Sequence, residues 1–498
     1  MKINPLTAID FYKTDHRRQY PDNTQSVYSN FTPRSTRYMP STSNDDNKVV
    51  FFGLQYFIKW FLIDTFNKEF FSKPKNEVVA KYKRRLDTSL GKDSVPVDHI
   101  EALHDLQYLP IVIKALPEGV AVNAKIPFFT IRETSPVFSW LTNYLETILS
   151  CSNWAPSTAA SIARKYRKLF NQYCNETGGL DFFTQFQGHD FSFRGMSSYQ
   201  TATMTGSGHL LFFTGTDTVP AIDFLEEYYG ANAEQELIGC SVPATEHSVM
   251  TMSGPVSEFE MFKRLITEVY PNGIVSIVSD SFDYWQVVTN FLPRLKNEIL
   301  SRSGGAPVDR VVIRPDSGDP VKIICGDPEA EIGSPQYKGT IECLWETFGG
   351  TINEKGYRQL DSHIGLIYGD SITLDRCEEI LERLKIKKFT STNVVLGIGS
   401  YTYQYNTRDS AGFAMKATAG AVNGKSVEIF KDPKTDTGMK KSAKGLLRVD
   451  LIDNEYVLKD QCTPEEELGG ELREVFRDGK LLIEHKLSDI RERALKSI

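Results

Sequence analysis

Cysteine is scarce, with seven residues in 498, at positions 151, 174, 240, 325, 343, 377 and 462. Their number is odd, they are scattered, and no two are spaced C-x-x-C. Neither a disulfide framework nor a zinc site is indicated, and a reducing compartment is expected. Positive charge is also in short supply. Lys and Arg number 57 against 64 Asp and Glu, a net charge of -7. A general nucleic-acid binder needs a basic stripe to recruit a polyanion, so that class is disfavoured, and any anionic ligand must meet a local cluster of cations. Long apolar runs are missing. The most apolar stretch, 49–63, is interrupted by Gln55 and Lys59, and the opening MKINPLTAIDFYKTD has no cationic segment leading into an apolar one. Neither secretion nor membrane spanning is expected, which leaves the cytoplasm. There is no low-complexity tract, no fixed-period repeat and no H-E-x-x-H, so a protein-held transition metal is not indicated.

What is present divides near the middle of the chain, and the length suits two domains. The first third mixes textures: 64–85 is rich in Lys and aromatics and reads as exposed helix and connection, and 157–173 carries apolar residues at helical spacing. Beyond about residue 180, short apolar runs that fit buried strands (274–278, 311–313, 364–368, 394–396) alternate with helix-like segments such as 284–300 and 374–384. Such alternation predicts parallel β/α units. Each run ends in a small polar cluster: Ser279-Asp280-Ser281, Arg314-Pro315-Asp316-Ser317-Gly318-Asp319-Pro320, Gly369-Asp370-Ser371, and Gly397-Ile398-Gly399-Ser400. A barrel would gather these tips on one face, whereas an open sheet would spread them along an edge, so the barrel is preferred. The expected fold is α/β, an irregular β/α barrel over 179–400, with a second α+β domain formed by 1–178 and completed by 401–498.

Several clusters admit both a chemical and a structural reading. Pro315, Gly318 and Pro320 stiffen a loop that could bring the Arg314 guanidinium to a phosphate and Asp316 to a ribose diol, or could simply hold an ion pair across a turn. Gly397-x-Gly399-Ser400 could present backbone N–H groups to a phosphate, or be a plain turn. His189-Asp190-Phe191-Ser192-Phe193-Arg194-Gly195 combines rings with a cation. Strict strand alternation would put Phe191 and Arg194 on opposite faces, so one of them must lie past the strand end. Asp217, ahead of Pro220, could receive a ligand amide, but Asp217 or Thr218 could equally cap a helix. Glu246 beside His247 could tune that imidazole for nucleophilic or acid–base work, although a lone histidine is often structural. Gly420 to Ser426 imitates a P-loop, but it is one residue short between its glycines and continues as strand, so it is discounted.

In combination, the series FFGLQY, WLTNYLETIL, HDFSFRG, TGTDTV, SVPATEHS, VSDSFD, IRPDSG, Gly369-Asp370 and GIGSYTYQ resembles the nicotinamide phosphoribosyltransferase family. The resemblance runs from Asp10-Phe-Tyr12-Lys13 to Phe430-Lys431-Asp432-Pro433. It implies transfer of a phosphoribosyl group from 5-phosphoribosyl 1-pyrophosphate to nicotinamide in NAD biosynthesis, by a type II phosphoribosyltransferase. It further implies a homodimer with shared active sites, in which Phe191 and a partner's Tyr12 sandwich the nicotinamide ring and Asp217 accepts from the carboxamide. On this resemblance Arg194 and Arg314 would hold phosphates, Asp316 and Gly369-Asp370 the ribose, and Asp280 would lie near the ring or the pyrophosphate. The 5′-phosphate would sit at Gly399 and Ser400, with Arg408 and Lys416 reaching from the partner. Magnesium arrives with the pyrophosphate rather than on protein ligands alone. The family's histidine, here His247, takes a phosphoryl group from ATP, with Glu246 orienting it and Lys431 and Lys440 contacting ATP or pyrophosphate. This chain has Ser400-Tyr401 where the family usually has glycines, which could narrow the phosphate pocket. The rival functions are nicotinate phosphoribosyltransferase, expected to lack an acid at the amide end of the pocket, and a non-catalytic dimeric binding or signalling protein.

Overall fold

The structure is a computed structural model describing residues 3–430 and 443–498. Two sheets organise it. One has seven strands in the order Lys425–Glu428, Ala414–Val422, Thr24–Thr32, Phe129–Glu133, Ile111–Ala115, Arg473–Arg477 and Lys480–Leu481, with every pairing antiparallel. It thus interleaves strands from before residue 178 with strands from after residue 400. The discounted P-loop imitation lies at its edge as a hairpin, with Val422 opposite Lys425 and Asn423-Gly424 both at positive φ in the turn.

The second sheet is parallel. Its strands are β1 (Gly188–Asp190), β2 (Gly215–Thr216), β3 (Ile274–Val278), β4 (Arg310–Arg314), β5 (Ile364–Tyr368) and β6 (Val394–Ile398), in the order β2-β1-β6-β5-β4-β3. The two edges of that order are joined by segment 240–245. Cys240 bridges to Gly215 of β2 and Ala244 to Ser276 of β3, both in parallel sense. Four backbone bonds carry the closure: Cys240 N to Thr214 O (2.7 Å), Thr216 N to Cys240 O (2.9 Å), Ser276 N to Pro243 O (2.8 Å) and Thr245 N to Ser276 O (2.9 Å). The ring is therefore closed by a piece that is too short, and too interrupted by Pro243, to form a regular ladder. The buried strands are the expected apolar runs, because a barrel covered by helices is dry on both faces; all five residues of β5 are buried.

Outside the ring, α1 (Glu146–Thr177) spans 32 residues and extends the helix expected over 157–173. It lies against α2 (Tyr199–His209) at a close approach: a methyl group on Gly208 would stand 2.7 Å from the Pro156 carbonyl oxygen. The helix expected over 284–300 is present, widened in one stretch and broken once. A wide turn at Val287–Phe291 precedes Pro293, which has no N–H to continue the ladder, and Leu295 leaves helical geometry at φ -99°, ψ 9°. One continuous apolar core runs from Phe31 and Phe129 of the antiparallel sheet through Phe170 of α1 to Ile277, Ile313 and Leu396 of the barrel. No helix among the described residues is long and apolar enough to cross a membrane.

Candidate active site

The polar clusters do converge, at the C-terminal ends of the ring strands. β1 ends at Asp190, so Phe191 follows the last strand residue and Arg194 lies beyond it in the turn Phe193–Gly195. The conflict with strand alternation disappears because neither residue belongs to the strand. Phe191 lies against bare backbone: a methyl group on Gly397 would come within 2.6 Å of its Cδ2. Its other ring neighbour is His189, at 4.5 Å between centroids and 35° between planes.

Asp217 stands beyond β2. The helix that follows, Val219–Tyr229, is capped by Thr218 without a side-chain bond, so Asp217 is not spent on capping. Its Oδ1 receives His189 Nε2 at 2.9 Å and Ser241 Oγ at 2.6 Å. Burial pushes the Asp217 carboxyl up, but these two hydrogen bonds, with charge from His189 and Arg314, outweigh it and hold the group below its ordinary value.

The stiff loop after β4 holds Arg314 and Asp316 at 3.3 Å, Nε to Oδ2, while Arg314 Nη2 donates to the Thr245 carbonyl at 2.7 Å. The ion-pair reading of this motif is therefore present in the geometry. Two atoms of the pair remain buried without a hydrogen bond, Arg314 Nε and Asp316 Oδ1. Burial, opposed by Arg314 and aided by the negative charges of Asp280 and Asp370, raises the Asp316 carboxyl. Asp316 Oδ1 fits only because residue 369 is glycine; a methyl group there would stand 2.6 Å away.

Asp280, just past β3, links two clusters. Its Oδ2 receives Asp316 N at 3.1 Å and Ser317 Oγ at 2.6 Å, and its Oδ1 faces His247 Nε2 at 3.1 Å. Burial pushes its carboxyl up, but these bonds prevail and lower it. This geometry corrects one expectation. Glu246 does not orient His247; it is the N-cap of the turn His247–Thr251, in extended conformation, and its carboxylate receives the Ser248 hydroxyl. Neighbouring residues at a helix start point apart, so the carboxylate that reaches the imidazole comes from the adjacent ring strand.

After β6, Gly399 has open space where a side chain would lie, while Ser400 packs so closely on Gly195 that a methyl group there would overlap its hydroxyl. Tyr401 is exposed, with Tyr405 as its ring neighbour. Three expected residues lie on the other domain. Tyr12 is exposed, with His16 and Lys13 beside its ring; Arg408 is exposed next to Asp409; and Lys416 is in the strand Ala414–Val422, opposite Asn30. Lys431 and Lys440 fall outside the described residues. Among the described residues, no group of three or more His, Cys, Asp or Glu is placed to hold a metal ion. His189, Ser241 and Ser317 received no role from sequence reasoning. Their motifs were visible, but their partners lie 24 to 37 residues away in the chain.

Comparison with known proteins gives a consistent result. A family model described as the nicotinate phosphoribosyltransferase (NAPRTase) family matches residues 186–480, and one described as nicotinamide phosphoribosyltransferase, N-terminal domain, matches residues 4–91. The chain is 55% identical over 498 residues to a nicotinamide phosphoribosyltransferase of Acinetobacter baylyi, covering 100% of this chain and 98% of that one. It is 34% identical over 449 residues to the Mycoplasma pneumoniae protein of the same name, covering 87% and 93%. Among solved structures, nicotinate-nucleotide pyrophosphorylase from Pyrococcus furiosus aligns with TM-score 0.58 at 14% identity over 99% of this chain and 95% of that one. Human nicotinic acid phosphoribosyltransferase aligns at 0.52 and 15% over 98% and 93%. At such identities these two likenesses speak for the fold.

Proposed function

Since the chain belongs to the nicotinamide phosphoribosyltransferase family, we propose that the barrel mouth joins the ring nitrogen of nicotinamide to C1 of 5-phosphoribosyl 1-pyrophosphate, releasing pyrophosphate. The observation that carries this is Asp217. A carboxylate held below its ordinary value, and joined through the His189 ring to Phe191, suits a carboxamide N–H and repels the carboxylate of nicotinate.

Reaction demands little proton chemistry of the protein. The pyridine nitrogen attacks with its own lone pair, the C1–O bond breaks, and its electron pair leaves with pyrophosphate, so no general base is needed. Catalysis then rests on alignment and on stabilising separated charge. Phe191 would stack on the nicotinamide, with Tyr12 of a second copy on the opposite face. Asp316 Oδ1, buried and without a partner, would accept a ribose hydroxyl beside Gly369-Asp370, and Arg314 Nε would donate to phosphate oxygen. Gly399 and Ser400, with Arg194 nearby and Arg408 and Lys416 of the second copy, would hold the 5′-phosphate. Magnesium would enter as part of the donor, bound by its pyrophosphate. ATP would phosphorylate His247 at the ring nitrogen that does not face Asp280, coupling its hydrolysis to synthesis. Seven free cysteines suit a reducing cytoplasm.

The test is product formation from phosphoribosyl pyrophosphate and magnesium with nicotinamide or nicotinate, each with and without ATP, for wild type and Asp217→Asn. Nicotinamide mononucleotide from wild type, sharply reduced in the variant, is expected. Preference for nicotinate, or no product from either acceptor, overturns the reading.

A further inference from the structure

We infer that His189 is a positioning residue that sets acceptor specificity: it pins one oxygen of Asp217 so that the other is presented to the carboxamide. This rests on the function proposed above and deepens it. The argument starts from strand geometry. His189 pairs with Gly215 across β1 and β2, and Asp190 with Thr216. Just past the strand ends the chains stay side by side, with Asp217 N donating to Asp190 O at 2.9 Å, and the His189 ring lies between the Phe191 ring and the Asp217 carboxylate. The position opposite His189, Gly215, is empty of side chain. A methyl group on Gly215 would stand 2.8 Å from His189 Nδ1, so glycine is what lets the imidazole lie across towards Asp217.

The buried ring then meets both working groups, donating from Nε2 to Asp217 Oδ1 at 2.9 Å and lying 4.5 Å from the Phe191 ring. Facing an ionised carboxylate, Nε2 carries the hydrogen. Ser241 Oγ adds a second donor to the same oxygen at 2.6 Å. With both internal donors on Oδ1, Oδ2 is the oxygen left for a ligand. The Asp217 side chain is only partly covered, and on its own it would sample several rotamers. One imidazole therefore fixes the spacing between the stacking ring and the amide acceptor.

The experiment is steady-state kinetics of the full chain with phosphoribosyl pyrophosphate and magnesium, for wild type, His189→Ala, His189→Gln and Ser241→Ala, with nicotinamide and nicotinate as acceptors. The Gln amide can stand in for Nε2–H. His189→Ala is expected to raise KM for nicotinamide by about tenfold or more, the loss of one charge-assisted hydrogen bond. KM for the donor should stay near wild type, kcat should fall less than KM rises, and preference over nicotinate should shrink. Gln should recover most of the preference. If His189→Ala keeps wild-type KM and preference, or if both acceptors suffer equally and Gln restores nothing, the inference fails. Should the Ala variant not fold, His189→Phe, which keeps a ring of similar size but has no donor, takes its place, and wild-type KM and preference in that folded variant overturn the inference. Wild type that makes no nicotinamide mononucleotide would instead remove the underlying function.

Discussion

Gly369→Ala gives the sharpest steric test of the ribose site. The added methyl would stand 2.6 Å from Asp316 Oδ1, short of ordinary contact by about 0.8 Å. Gly369 is not among the glycines at positive φ, so alanine brings no backbone strain, and the cost falls on the carboxylate. Asp316 must swing away, and its Oδ1 leaves the buried position where it has no internal partner and is free for a hydroxyl. One hydrogen bond to a charged group is worth about 1.5–3 kcal/mol, which converts to between about 10- and 150-fold in apparent affinity. Initial rates at saturating nicotinamide with varied phosphoribosyl pyrophosphate should show that increase in KM for the donor, with the KM for nicotinamide little changed and the thermal midpoint close to wild type. A donor KM equal to wild type in a folded variant would refute the placement of the ribose at Asp316.

Three further outcomes follow from the same geometry. Gly195→Ala should raise the donor KM because its methyl overlaps Ser400, and adding Ser400→Gly should restore it; two additive losses in this double-mutant cycle would show that the pair is not coupled. If Asp280 rather than Glu246 orients His247, Asp280→Asn should diminish stimulation by ATP more than Glu246→Gln does, and the reverse order would return the role to Glu246. Burial lowers both His99 and His209 to about 4, against 6.5 for the free side chain. Between those values the unfolded chain binds more protons than the folded one, so stability is fully present above about pH 6.5 and is lost as pH falls towards 4, at about 1.4 kcal/mol per pH unit for each histidine. Urea midpoints that stay level from about pH 7 to about pH 5 would contradict this.

Much of the architecture is legible in linear order. Parallel strands buried on both faces must be short apolar runs, so 274–278 and 364–368 appear in the sequence with the boundaries they have in the structure. The tips that follow them are polar because they lie at the open end of the ring, and the ordered motif series resembles the family to which the chain belongs. Tertiary structure alone decided the rest. Segment 240–245 closes the ring without any apolar periodicity, because single bridges to two neighbours suffice once those neighbours are in place. Glu246 looks like the partner of His247 by adjacency, but adjacent side chains at a helix start diverge, and Asp280 arrives from 33 residues away. His189 reaches Asp217 only because Gly215 leaves room on the paired strand. A chain records what each residue can donate, accept or bury; which donor meets which acceptor is set by long-range pairing, which no local spacing encodes.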